Sequence, residues 1–180
     1  MREVEVKFRV FDVEALLVAL EARGVDLGEP VRQDDQAYAP EGWSFGDSKL
    51  DVPFVRLRTV DGRHYFTLKR PTVNAQSCVE HEAEVADREQ MHHAILNMGF
   101  WATVQMTKTR RTAVLADFSV CVDQLDGVGT FLELERMLPG GQSAEDVQDE
   151  LAAFVTSFGV DAERTNETYD SLVRAALVAG

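Results

Sequence analysis

The chain has 180 residues, a formal net charge of -13, and is 45% hydrophobic and 27% charged, which suits one domain with a sizeable core. That acidity repels phosphate backbones and anionic bilayers, so nucleic-acid and membrane binding are excluded as defaults and any polyanionic ligand needs a local basic site. Cys78 and Cys121 form no CxxC pair, no run reaches the roughly 20 apolar residues of a membrane span, and Met1-Arg2-Glu3-Val4-Glu5 lacks an apolar signal core. A single soluble domain over 1–180, in a reducing cytoplasm, is expected.

Glu3 to Val10 alternates charged odd residues with apolar even ones, the period of a strand with two unlike faces. Asp12 can cap a helix over Val13 to Arg23, with Leu16, Leu17 and Leu20 as its apolar stripe and Gly24 as its stop. The loose stretch from Pro40 to Pro53 reads as a surface connection. Trp43 and Phe45 within it either pack beneath the loop or cap a ligand mouth. Alternation returns with Arg56 and Arg58 against Val55 and Leu57, and with Tyr65, Thr67 and Lys69 against Phe66 and Leu68. It continues with Glu80, Glu82 and Glu84 against Val79, His81, Ala83 and Val85. Asp87 with Gln90 resembles a capping box for Arg88 to Met98, closed by Gly99. Lys108 and Arg110 share a face, as do Cys121, Asp123 and Leu125, and Glu133 and Glu135 alternate with Leu132 and Leu134. Beyond a Pro139-Gly140-Gly141 turn, Ser143 opens a helix over Ala144 to Phe158, and a shorter one is expected over Glu167 to Val178.

Any one charged row could be the solvated face of an antiparallel sheet. Here the charges segregate by sign from strand to strand, and the apolar faces need the cover that the amphipathic helices can supply. The fold expected is α+β: an eight-stranded antiparallel closed β-barrel with a charged lumen and amphipathic helices packed outside. Burying so many ions costs several kcal/mol for each unpaired one, so stability does not explain the lumen, whereas ligand binding does. Clustered carboxylates suit Mg²⁺ or Mn²⁺, and clustered Arg and Lys suit phosphate oxygens. Together they point to a metal-chelating polyanion such as a nucleotide or inorganic triphosphate, bound without a Walker glycine loop.

Glu3-x-Glu5-x-Lys7 resembles the ExExK signature of the CYTH superfamily, which unites class IV adenylyl cyclases of the CyaB type with thiamine triphosphatase and other triphosphate tunnel metalloenzymes. The resemblance continues in order through Arg56-Leu57-Arg58, Thr67 to Pro71, Glu80 to Val85, Lys108-Thr109-Arg110 and Val122 to Glu135, and Thr168 to Leu172 is similar to the CyaB-type ending. It implies a tunnel holding a triphosphate: ATP, tripolyphosphate or thiamine triphosphate. It also implies Glu3, Glu5 and Glu135 as metal ligands, with Asp123 and Glu133 beside them, and Lys7, Arg56, Arg58, Lys69, Lys108 and Arg110 as triphosphate contacts. Lys7, with Glu82 and Glu84 as a matching acidic pair, stands in the catalytic role. Cys78 departs from relatives that place a basic residue there. Length and the Tyr169 ending favour a cyclase making cyclic AMP and pyrophosphate over a triphosphate hydrolase, and a homodimer is consistent with the family. A module that binds a phosphorylated ligand without turnover is the non-enzymatic alternative.

Four histidines stand outside this scheme. His81 falls on the apolar strand face, His64 follows the Asp61-Gly62 turn, and His92 and His93 lack the i,i+4 spacing of a helical metal pair.

Overall fold

The computed structural model describes residues 2–138 and 141–179; the Pro139-Gly140 part of the expected turn lies outside them. In chain order the elements are β1 (Arg2–Val10), α1 (Val13–Glu21), β2 (Val31–Pro40), β3 (Phe54–Val60), β4 (Arg63–Pro71), β5 (Ser77–Val85), α2 (Arg88–Asn97), β6 (Phe100–Leu115), β7 (Phe118–Leu125), β8 (Gly129–Leu138), α3 (Ala144–Thr156), β9 (Ala162–Thr165) and α4 (Tyr169–Ala179).

All strand pairs are antiparallel, and the order β5-β4-β3-β2-β6-β7-β8-β1 closes on itself where Arg2–Val4 of β1 pairs with Ser77–Val79 of β5. The result is the expected eight-stranded barrel. One edge of β1 is paired along its whole length with β8. The other is divided: β5 takes its start and the four-residue β9 takes Lys7–Val10, so little open edge remains.

Period-2 alternation decides which side chains enter the lumen. Val4, Val6, Phe8 and Val10 of β1, with Val120, Val122, Leu132 and Leu134, point outward into a core roofed by Leu16 and Leu20 of α1 and Val147, Leu151 and Val155 of α3. A second core, built on Tyr38, Val55 and Leu57, is covered by Ile95 of α2. The caps read from the sequence form these helices: Asp12 accepts from Ala15 N–H, Asp87 from Gln90 N–H and Ser143 from Asp146 N–H. At Gly24 (φ 73°) the amides of Gly24 and Val25 turn back to the Glu21 and Leu20 carbonyls, a Schellman stop that needs the left-handed backbone glycine allows.

α4 also lies outside the wall, but across one end of the barrel. Its Val173 packs with Val104, Leu125 and Phe131, and Tyr169 meets Phe131 edge-on at 5.4 Å. Leu125 and Phe131 share their strand faces with the charged lumen residues, so α4 forms an apolar floor at one end of a polar tunnel.

Candidate active site

The lumen holds a cavity of about 160 Å³ lined by seven basic side chains and five carboxylates, in a chain whose net charge is -13. β1 contributes Glu5 and Lys7, β8 contributes Glu133 and Glu135, and β6 contributes Lys108 and Arg110. Arg56 and Arg58 enter from β3, Lys69 from β4 and Asp35 from β2. Lys49, in the loop after β2, and Asp170 of α4 complete the charged lining.

The oxygen donors of Glu5, Glu133 and Glu135 lie within 4.8 Å of one another, the register Glu5↔Glu135 and Lys7↔Glu133 having set them side by side. Burial pushes the Glu5 carboxyl up to about 7, with Glu133 adding to the rise and Lys7 opposing it. Glu135 is raised by burial too, with Glu133 contributing. Burial would also raise Glu133, but Lys7 (Nζ at 3.2 Å) and Arg110 outweigh it and hold it well below the usual carboxylate range. Glu133 thus keeps its charge beside Lys7 and Arg110, while burial shifts Glu5 and Glu135 towards their neutral forms. Three oxygen donors at this spacing, with Glu135 open to water at the edge, fit a hard divalent ion that keeps some of its own waters.

The cations are held in ordered positions. Asp123, with no solvent exposure, accepts from Lys108 Nζ (3.0 Å), from both Arg110 Nε (2.7 Å) and Nη2 (2.5 Å), and from the Tyr169 hydroxyl (2.7 Å). Burial and the neighbouring Arg110 push the Lys108 ammonium down to about 8. Asp35 grips Arg58 bidentately at 2.8 and 2.7 Å; despite burial, that pairing holds the Asp35 carboxyl down at about 2. Lys69 Nζ lies 2.9 Å from Glu3 and 2.7 Å from Glu80. Lys7 and Lys108 both stand over the Tyr169 ring, at 4.1 and 4.6 Å from its centroid.

Nine sequence-predicted residues therefore meet in the cavity: Glu5, Lys7, Arg56, Arg58, Lys69, Lys108, Arg110, Glu133 and Glu135. Four take other places. Asp123 has its oxygens bonded to Lys108, Arg110 and Tyr169 and lies outside the three-carboxylate cluster. Glu3 is bonded to Lys69 beyond the three-carboxylate cluster. Glu82 and Glu84 have side chains 44% and 47% exposed; Glu82 reaches Thr67 and Arg56, while Glu84 pairs with Arg63 away from the cavity. Cys78 lines the cavity, its thiol pushed up to about 12 by burial.

Asp35 and Lys49 escaped the sequence reading. β2 shows no apolar alternation, because its alternate residues Arg32, Asp34 and Gln36 are polar as well. Lys49 lies in a loop, where no periodicity marks a side chain's direction. Its ammonium meets Thr168 Oγ1 (2.5 Å), Asp170 Oδ2 (2.9 Å) and Ser171 Oγ (3.0 Å), tying that loop to the start of α4. Trp43 packs under the loop, edge-on to Phe45 and Phe54. Among the other residues set aside in the sequence, His64 is half-buried and bonded to Thr59, and His92 accepts or donates to the Tyr38 hydroxyl at 2.7 Å, outside the lumen.

The fold is shared with solved structures. The PH1819 protein of Pyrococcus horikoshii superposes with a TM-score of 0.79 at 19% identity, covering 96% of this chain and 98% of that one. The Hippeastrum protein HpAC1, whose description reports a dominant triphosphatase activity, gives a TM-score of 0.64 at 15% identity over 97% and 96% of the two chains. In sequence, the chain is 25% identical over 178 residues to adenylate cyclase CyaB of Aeromonas hydrophila, covering 97% of this chain and 90% of that protein. The family model described as the CYTH domain matches residues 1–169. With both the closed charged barrel and that match in place, the chain belongs to the CYTH domain family.

Proposed function

We propose that the chain is a divalent-metal-dependent enzyme acting on a triphosphate held in the barrel lumen, and that its reaction is that of class IV adenylyl cyclases, ATP to cyclic AMP and pyrophosphate. One observation carries the reading: a three-carboxylate cluster and seven basic side chains share a single cavity. Basic side chains alone would suffice to hold an anion. Carboxylates packed beside them repel one another and the anion, unless a cation bridges the two.

Glu5, Glu133 and Glu135 would hold Mg²⁺ or Mn²⁺, which when bound supplies charge neutralisation on phosphate oxygens as phosphorus is attacked. The chain's own residues do the rest. Arg56 and Arg58 on β3 bring positive charge to the phosphates, Arg58 through the N–H groups that Asp35 leaves free, while Lys69, Lys108 and Arg110 place charge on the remaining sides of the cavity. Lys7 keeps Glu133 ionised. The α4 floor, with Tyr169 facing Lys7 and Lys108, keeps bulk water from that end. The name of the Aeromonas relative supports the cyclase reaction; hydrolysis of a terminal phosphate is the second reading, favoured by the activity described for the Hippeastrum neighbour.

Incubating the purified chain with ATP, thiamine triphosphate or tripolyphosphate, plus Mg²⁺ or Mn²⁺, and separating the products tests both. Cyclic AMP with pyrophosphate is the expected result. Free phosphate would assign the hydrolase, and binding without product would reduce the chain to a ligand-binding module.

A further inference from the structure

β1 changes partners beside the carboxylate cluster. Arg2–Val4 pair with Ser77–Val79 of β5 and Lys7–Val10 pair with β9, so Glu5 and Val6 fall in the gap between the two. The Glu5 N–H still reaches the Gln76 carbonyl at 2.9 Å. Among the described residues no strand meets the Glu5 carbonyl. It accepts instead from a side chain, Nε2 of Gln148 at 3.1 Å, which comes in from α3 on the outside of the barrel.

Gln148 is the polar exception on its helix face. It is 4% exposed among Val147, Leu151 and Val155, where an amide is unfavourable unless its hydrogen bonds are made. Here they are made. Nε2 also lies 3.2 Å from Asn74 Oδ1 and 3.3 Å from the Gln76 carbonyl, while Oε1 accepts from Asn74 Nδ2 at 2.9 Å. Three acceptors on one side and a donor on the other leave the amide one orientation. Asn74 Oδ1 accepts in addition from the Gln76 N–H (3.0 Å), and Gln76 Nε2 donates to the Thr165 carbonyl (2.8 Å). One network therefore joins α3, the turn between β4 and β5, β1 and the end of β9.

Its effect falls on one carboxylate of the three. Glu133 and Glu135 stand on β8, which is paired on both edges, with β7 and with β1. Glu5 sits where one edge of its strand is left unpaired, so its Cα depends on whatever replaces the missing ladder. We propose that Gln148 is a positioning residue for the metal cluster, fixing the Glu5 main chain so that its carboxylate meets those of Glu133 and Glu135 within 4.8 Å. The inference rests on the metal-dependent reading and adds to it a residue that lies outside the lumen and touches neither ion nor substrate.

The test follows Mn²⁺ binding to the full chain by loss of the free-ion EPR signal, and metal-free tripolyphosphate binding by calorimetry, in three variants. Gln148→Met keeps the volume and removes the donor, Asn74→Ala releases the amide from a half-buried turn, and Val147→Ala loosens the same helix through apolar contact alone. Gln148→Met is expected to weaken Mn²⁺ binding about tenfold, and Asn74→Ala to weaken it in the same direction. Tripolyphosphate binding should stay within about twofold in both, and Val147→Ala should leave both ligands within about twofold. Unchanged Mn²⁺ affinity in Gln148→Met, or an equal loss in Val147→Ala, would overturn the proposal while leaving the metal cluster standing. Should Gln148→Met fail to fold, Asn74→Ala decides by the same criterion. A wild-type chain that binds no Mn²⁺ would overturn both the proposal and the metal-dependent reading.

Discussion

Glu5 is a buried carboxylate whose ionisation works against the stability of the fold. Its folded-state pKa, raised to about 7 from 4.5, means that between those values the native chain binds more protons than the unfolded chain, so stability falls as pH rises through that window. Glu5→Gln removes this cost without emptying space. It is expected to raise stability at pH 8 by about 2–3 kcal/mol, with the gain shrinking towards zero as pH drops to about 4.5, and to abolish turnover. Melting curves of both proteins across pH check the first point; a pH-independent difference contradicts it. Arg58 makes the opposite case. Arg58→Ala leaves Asp35 buried without its bidentate partner, a loss of about 3–5 kcal/mol. Removing Asp35 as well should recover most of that, so a double-mutant cycle in denaturant is expected to show strong coupling. Additive losses would mean that the pair is not a unit.

Among the elements, α4 is the one that turns an open barrel into a site with a floor. Val173 is buried against Val104, Leu125 and Phe131, so Val173→Asp places an unpaired carboxylate in that contact. Amide exchange over 169–179 is expected to accelerate at least tenfold while the barrel strands keep their protection; loss of protection throughout would show that α4 is integral to the barrel's stability. The strands β1, β3 to β5, β7 and β8, and the Lys108-Thr109-Arg110 stretch of β6, were legible in the sequence because their two faces alternate with period 2. β2 was not, being polar on both sides, and β9 is only four residues long. Alternation fixes the face a residue joins but not its height along the tunnel. Glu80, Glu82 and Glu84 therefore share one phase, although Glu80 sits by Lys69 and Glu84 opposite Tyr65 on an exposed stretch. Asp123 points inward as expected, yet its role followed from what surrounds it, which no spacing reveals. α4 starts at Tyr169, two residues later than expected, because Glu167 and Thr168 are used to hold Lys7 and Lys49.

For the molecule as a whole, the fold gathers cations inside an acidic shell. Seven basic residues face the cavity while the net charge stays at -13, so a short anion that fits the lumen meets positive charge and an extended one meets mostly repulsion. Tripolyphosphate is expected to bind and a labelled single-stranded RNA is not; salt-sensitive RNA binding in a polarisation assay would contradict this picture. In the proposed site, carboxylates and cations of the lumen act together on one metal-chelated triphosphate. Anomalous scattering from Mn²⁺ in crystals grown with tripolyphosphate tests it most directly. A manganese peak bounded by Glu5, Glu133 and Glu135 is expected, with phosphate density running from it towards Arg56 and Arg58. Manganese bound elsewhere, or a lumen holding neither ion nor phosphate, would contradict it.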